Sequence, residues 1–132
     1  MPLSFGLHTN FEVPDSFSVP LGKKWVKDQN NIPTGELIDL NETEKTFCTG
    51  SPAKGFPISG FFTSAGNTAV IDGISYTVSD NFDQWILYNN DGNKGFLSIE
   101  PQCGAVNCLN SGVGLKRLAP GASETFTTWI HI

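Results

Sequence analysis

The clearest strand signal in the chain is a run of seven residues, Phe96-Leu97-Ser98-Ile99-Glu100-Pro101-Gln102. Successive side chains of a strand point to opposite faces of its sheet, so Leu97 and Ile99 share one apolar face. Phe96, Ser98 and Glu100 share the other face. The run therefore predicts a strand that presents a carboxylate near its end, on the face turned away from the core.

A second run of this kind lies near the start of the chain, Ser4-Phe5-Gly6-Leu7-His8-Thr9. Gly6 and His8 share its polar face, just as Ser98 and Glu100 share that of the first run. Each ionisable group thus follows a small residue on its own face. We expect Gly6 and Ser98 to form a shallow floor beside an imidazole and a carboxylate, which suits a ligand lying flat on a sheet.

The composition predicts strands and tight turns rather than helices. The chain has 132 residues, with 14 Gly, 8 Pro and 11% aromatic residues. Short apolar or alternating runs bounded by Gly, Pro, Asn and Asp recur throughout, whereas helical periodicity is nearly absent. The length is that of one domain, so we expect residues 1–132 to form a single all-β domain.

Four local patterns predict particular elements. Asp72-Gly73 suits a type I′ hairpin turn between strands at 68–71 and 74–78. A longer polar loop separates predicted strands at 82–89 and 95–100, and a last strand is predicted at 124–132. Asn41 followed three residues later by Glu44 is a capping box, which predicts a helix of one or two turns.

The charge, the cysteines and the hydropathy pattern limit the partners and the cellular compartment that we expect. A net charge of -5 and a pI of about 4.8 offer no basic patch for phosphates, so we expect no nucleic acid partner. The three cysteines, Cys48, Cys103 and Cys108, form no CxxC pair and are predicted to be free thiols. No signal-like or membrane-spanning stretch is present, so we expect a cytoplasmic protein with no membrane partner.

One pattern raises the question of a metal. Asn89, Asp91, Asn93 and Glu100 fall at positions 1, 3, 5 and 12 of a calcium loop. Lys94 stands where that loop needs glycine, and strands rather than helices are predicted on both sides. We therefore expect a hairpin tip here and no metal site.

The chain resembles the aldose 1-epimerase, or galactose mutarotase-like, family in segments spread along its length. They are Phe5-Gly6-Leu7-His8-Thr9-Asn10-Phe11, Ile99-Glu100-Pro101-Gln102-Cys103-Gly104, Val106-Asn107-Cys108-Leu109-Asn110 and Leu118-Ala119-Pro120-Gly121. The resemblance implies an antiparallel β-sandwich of the galactose mutarotase-like type. Members of the family are about twice as long, and this chain is similar only to their C-terminal half.

The resemblance also implies a chemistry and a set of site residues. Glu100 is expected to act as general base and His8 as general acid in opening a hexose ring, with no cofactor required. Ser59, Gln102 and Asn107 are expected to bind the sugar. Ser59 stands where the family usually places an aspartate before a Phe, so that contact would pass to a hydroxyl.

Two other functions remain open on the sequence alone. The first is a non-catalytic carbohydrate-binding module that kept the sheet without full activity. The second is glycoside hydrolysis. Glycoside hydrolysis would need a second carboxylate across the scissile bond, and only Asp83 or Glu12 could be suggested for it.

A half-length sandwich also has consequences for assembly. It leaves unpaired strand edges and an uncovered apolar face, which normally pair with another surface. We therefore expect a homodimer or a complex with a separate N-terminal half.

Overall fold

The computed structural model describes all of residues 1–132 and is built almost entirely of short strands. The thirteen strands are, in chain order, β1 (Pro2–Leu3), β2 (Phe5–Gly6), β3 (Asn10–Glu12), β4 (Phe17–Ser18), β5 (Leu21–Lys27), β6 (Pro33–Ile38), β7 (Ser59–Ser64), β8 (Thr68–Ile71), β9 (Ile74–Val78), β10 (Gln84–Tyr88), β11 (Phe96–Cys103), β12 (Lys116–Arg117) and β13 (Thr128–His131). The helices are α1 (Glu42–Thr46) and α2 (Cys108–Ser111). Neither helix is long and apolar enough to cross a membrane. The predicted all-β class is confirmed.

The strands form two main sheets in which every pairing is antiparallel. The larger sheet has seven strands in the order β2-β11-β10-β7-β5-β6, with β3 also paired to β11. The smaller sheet has the order β13-β9-β8-β4. A third pair, β1 with β12, joins the start of the chain to the segment that follows α2.

The core lies between the two main sheets. The larger sheet contributes Trp85 and Leu87 from β10 and Ile99 from β11, and the smaller sheet contributes Tyr76 and Val78 from β9. All five are nearly or fully excluded from solvent. Since alternate residues of β10 and β11 enter this core, the intervening side chains must project from the opposite face of the larger sheet. That opposite face carries the candidate site.

The predicted short hairpin and the predicted helix are confirmed. The hairpin joins β8 to β9, and its turn residues Asp72 and Gly73 both have positive φ, 47° and 84°, as a type I′ turn requires. In α1 the side chain of Asn41 accepts from the Glu44 amide while the Glu44 carboxylate accepts from the Asn41 amide. An ion pair of 2.5 Å between Lys24 and Glu44 ties this helix to β5.

The last strand is shorter than the sequence predicts, because residues 124–126 make side-chain contacts in place of backbone hydrogen bonds to a neighbouring strand. Glu124 accepts from Lys116 at 2.6 Å and from Asn81 at 2.8 Å, and the Phe126 ring packs against Phe82 at 5.0 Å. Regular pairing to β9 begins only at Thr128.

Asn89, the first position of the calcium pattern, has a structural role. It is completely buried, and its side chain accepts from the amide of Ile58 and donates to the carbonyls of Ala53 and Phe56. These hydrogen bonds hold the irregular loop before β7 against the end of β10, where the predicted hairpin tip begins.

We predict that Asn89→Ala destabilises the fold by about 2–4 kcal/mol, because it removes three hydrogen bonds and leaves buried backbone groups without partners. Urea denaturation measures this loss. Asn93→Ala, at the exposed tip of the same hairpin, is the matched control and should change the free energy of unfolding by less than about 0.5 kcal/mol. Equal effects of both substitutions would contradict the assignment.

Candidate functional site

The N-terminal segment follows β11 in one antiparallel register. Both short strands that flank the gap keep it: Gly6 pairs with Gln102 in β2, and Asn10 pairs with Ser98 in β3. No residue is inserted between these two pairings on either strand. The residue directly opposite Glu100 is therefore His8.

Two backbone hydrogen bonds bracket His8. The Leu7 amide donates to the Pro101 carbonyl at 3.1 Å, and the Ile99 amide donates to the Thr9 carbonyl at 2.9 Å. In an antiparallel ladder, the pair that lies between two hydrogen-bonded pairs brings its side chains closest, with Cβ atoms about 4.5–5.5 Å apart. The imidazole and the carboxylate occupy that position.

The strand predicted at the start of the chain is split into β2 and β3, and His8 lies in the gap between them. Pro101 has no N–H group, so its pair with Leu7 has one hydrogen bond where a regular pair has two. The ladder is thus weakened beside His8 without a change of register. Sequence patterning gave the faces of these residues correctly but not this interruption.

The two ionisable groups meet in the structure. Nε2 of His8 lies 3.3 Å from Oε1 of Glu100, and their side chains are 67% and 16% exposed. Burial raises the pKa of the Glu100 carboxyl, and the nearby His8 partly offsets that effect. A carboxylate with a raised pKa is a stronger base than an exposed one, and the imidazole beside it can donate or accept a proton.

His8 and Glu100 open onto a cavity of about 430 Å³ on the outer face of the larger sheet. This volume is within the range of about 300–1,000 Å³ that is typical of small-molecule sites. The middle of the cavity is lined by Phe61, Ile86 and Tyr88, from β7 and β10. Apolar and aromatic side chains beside a few polar groups suit the C–H faces of a sugar ring.

The floor of the cavity differs from the predicted one. Ser98 is fully buried, and its hydroxyl is engaged by the side chain of Asn10, so it presents nothing to a ligand. Ile86 pairs with Glu100 across β10 and β11, and Phe61 pairs with Ile86 in turn. These two side chains form the floor of this cavity, whereas Gly6 lines an adjoining cavity of about 200 Å³ that also borders His8 and Glu100.

The three residues predicted to bind the sugar are placed differently. Ser59 and Gln102 both line the cavity with His8 and Glu100. Asn107 does not. It precedes α2 with a left-handed backbone (φ 66°), lies exposed, and accepts a hydrogen bond from the side chain of Asn110.

Sequence reasoning missed one charged residue of the cavity, Lys27. Its ammonium donates to Ser59 Oγ at 3.4 Å and lies 4.9 Å from the centre of the Phe61 ring. Burial lowers the pKa of Lys27, and the charge of Lys24 adds to that effect. The signal that could have found it is alternation in β5, which places Trp25 and Lys27 on the same face.

The structure contains no group of three or more His, Cys, Asp or Glu side chains placed to hold a metal ion. The three cysteines are free thiols, as predicted, and Cys103 and Cys108 are buried.

Solved structures of other proteins share this fold. No protein-family model matches the sequence. A galactose mutarotase-like protein from Clostridium acetobutylicum superposes with a TM-score of 0.85 at 24% identity, over 99% of this chain and 48% of that one. A candidate aldose 1-epimerase from Escherichia coli K12 gives 0.73 at 20% identity, over 97% and 48%. A protein from Synechocystis sp. PCC 6803 gives 0.60 at 21%, over 88% and 39%.

These likenesses identify the fold as a galactose mutarotase-like β-sandwich, which confirms the fold that the sequence resemblance implies. The chain spans about half the length of the solved structures that it matches, in agreement with the resemblance to one half of the family's members. At such identities the likeness concerns the fold, and the roles of individual residues rest on the geometry of this chain.

We predict that Glu100→Gln stabilises the protein at neutral pH relative to the parent. A carboxyl whose pKa is raised on folding stabilises the folded state below its ordinary value of 4.5, and this contribution is lost as pH rises through the folded value. Glutamine does not ionise, so its advantage should appear at about pH 7 and vanish near about pH 4.

Urea denaturation at both pH values measures this difference. Glu12→Gln, at an exposed carboxylate on β3, is the matched control and should change little at either pH. A Glu100→Gln protein that is less stable than the parent at about pH 7 would rule out the proposed burial cost.

Proposed function

We propose that this chain is an aldose 1-epimerase, or the half of one that carries its acid and base, and that it interconverts the α and β anomers of a hexose. One observation carries the proposal: His8 and Glu100 lie 3.3 Å apart at the edge of a cavity of suitable size. The likeness of the fold to a galactose mutarotase-like protein and to a candidate aldose 1-epimerase supports it.

The reaction would proceed by general acid–base catalysis. Glu100, ionised, takes the proton from the anomeric hydroxyl as the bond between the anomeric carbon and the ring oxygen breaks. The electron pair of that bond goes to the ring oxygen, which takes a proton from the protonated His8. The product is an open-chain aldehyde. Rotation about its first carbon–carbon bond, followed by the reverse proton transfers, closes the ring as the other anomer.

The closeness of the two groups suits this reaction. The anomeric hydroxyl and the ring oxygen are bonded to the same carbon, so their acid and base must be near neighbours. Positions directly opposite each other on adjacent strands fulfil that requirement. The raised pKa of Glu100 brings the base nearer to working pH, where proton transfer is most effective.

Glycoside hydrolysis is less well supported. Both mechanisms of that reaction use two carboxyl groups at least about 5 Å apart, and Glu100 is the only carboxylate that lines the cavity. Asp83 instead accepts from the Gly104 amide at 2.8 Å, and Glu12 lies exposed on β3.

A non-catalytic sugar-binding module remains the alternative function. The open position of His8 favours this alternative. Two thirds of its side chain is exposed, so water competes with the ring oxygen of the sugar for the proton of His8. Activity and binding assays separate the two functions.

We predict that Glu100→Gln and His8→Ala each lower the rate constant kcat of mutarotation by about 10²- to 10⁴-fold, the usual contribution of a general acid or base. Polarimetry on glucose and galactose measures the rate. The double variant should be little worse than either single one, because both groups act in the same step. Glu12→Gln is the control and should keep parental activity, whereas unchanged activity in both single variants would remove the mechanism.

The surface supports the proposal that a second copy, or a separate N-terminal half, covers the free edges. β6 is an outer strand with Leu37 and Ile38 exposed, and β13 is another with Trp129 and Ile130 exposed. Apolar edge strands without protection associate readily.

We also propose that the protein is cytoplasmic and acts in carbohydrate metabolism. The three free thiols favour a reducing compartment.

We predict that the purified chain is a homodimer with twice the 14.3 kDa of one chain. Light scattering after gel filtration gives the mass. Ile38→Lys and Ile130→Lys, which place a charge on each edge, identify the edge involved by producing a monomer. Leu109→Lys, at an exposed apolar residue of α2, is the control. A concentration-independent monomer in the parent protein would contradict self-association.

A further inference from the structure

The cavity has a positive end away from its acid and base. Lys27 lies on β5, and Glu100 lies on β11, with β10 and β7 between them. Three strand spacings, about 14 Å measured across the sheet, separate these two strands. A sugar whose anomeric carbon contacts Glu100 would therefore reach Lys27 only with the opposite end of the molecule.

Lys27 has no carboxylate partner. The other lysines of β5, Lys23 and Lys24, form ion pairs with Asp39 and Glu44, at 3.0 and 2.5 Å. Lys27 contacts only a hydroxyl and an aromatic ring. A partly buried ammonium without a counter-ion is costly, and an anionic ligand would offset that cost.

The neighbouring acidic residue does not fill this role. The Asp28 carboxylate accepts from the amides of Asn30 and Ile32, at 2.7 and 3.0 Å, and it does not line the cavity. The only carboxylate of the cavity is Glu100, at the far end.

Two neutral polar groups lie at the same end as Lys27. Ser59 accepts the hydrogen bond from Lys27 and lies exposed on β7. Asn31, in the turn between β5 and β6, also lines the cavity. An ammonium, a hydroxyl and an amide together supply the donors that a phosphate or a carboxylate requires.

We propose that the cavity takes an aldose that bears an anionic group, phosphate or carboxylate, at the end remote from its anomeric carbon, and that Lys27 is the residue that recognises this group. The inference rests on the proposed function for the orientation of the sugar. Lys27 touches no reacting atom and determines specificity rather than chemistry.

The first test compares mutarotation of glucose, glucose 6-phosphate and glucuronate. We expect kcat/KM to be at least about tenfold higher for an anionic sugar than for glucose, since hydrogen bonds between charged groups are about twice as strong as neutral ones. The two anionic sugars distinguish a phosphate from a carboxylate site, and a preference for either supports the inference. Equal kcat/KM for all three sugars would overturn it.

Variants of Lys27 test whether this residue causes the preference for an anionic sugar. Lys27→Gln should lose it, with the change in KM rather than kcat, because the contact is the same in the ground state and the transition state. Lys27→Arg should keep most of it, and Ser59→Asp should abolish it by supplying a counter-ion. Lys94→Gln, at the exposed tip of the β10–β11 hairpin, makes the same charge change outside the cavity and should have no effect.

Binding measurements keep the inference separate from the proposed function. If no sugar is turned over, the epimerase proposal fails, and calorimetry with glucose, glucose 6-phosphate and inorganic phosphate decides the inference. Tighter binding of glucose 6-phosphate than of either other probe, lost in Lys27→Gln and weakened by salt, supports it. Binding of inorganic phosphate as tightly as glucose 6-phosphate, or no dependence on Lys27, overturns it.

Discussion

The candidate site depends on the register between the N-terminal segment and β11. One shared register on both sides of the gap places His8 directly opposite Glu100. A shift of one residue would turn the imidazole toward the core and separate the two groups. The bonds from Leu7 to Pro101 and from Ile99 to Thr9 hold this register where the regular ladder is interrupted.

The buried ionisable groups of the site lower the stability of the folded state, and the rest of the fold must offset this loss. Burial makes the ionised Glu100 less stable than it would be in water, and Lys27 is partly buried without a carboxylate partner. Other charged groups near β5 have partners, as in the capping box of α1 and the contact of Lys24 with Glu44. The cavity therefore holds two partly buried ionisable groups whose pKa values burial shifts against their charged forms, which is typical of functional sites.

Local patterns predicted the elements that local chemistry determines. The Asp72-Gly73 turn, the capping box of Asn41 and the faces of β11 follow from side-chain alternation, backbone preferences and short-range hydrogen bonds. The cavity floor could not be predicted this way. Phe61 and Ile86 become neighbours of Glu100 only through the strand order β11-β10-β7, which long-range pairing sets. The prediction for Asn107 depends on a resemblance alone, and the structure places this residue at the start of α2, outside the lining of the cavity.

The most direct test of the paired acid and base is the pH dependence of kcat/KM for anomer exchange, measured by NMR exchange spectroscopy on the parent and on Glu100→Gln. We expect a parental profile whose acid limb lies above 4.5, because activity requires Glu100 to lose its proton and burial raises its pKa. This limb should be absent from the residual activity of Glu100→Gln. The same acid limb in both proteins would show that Glu100 is not the base.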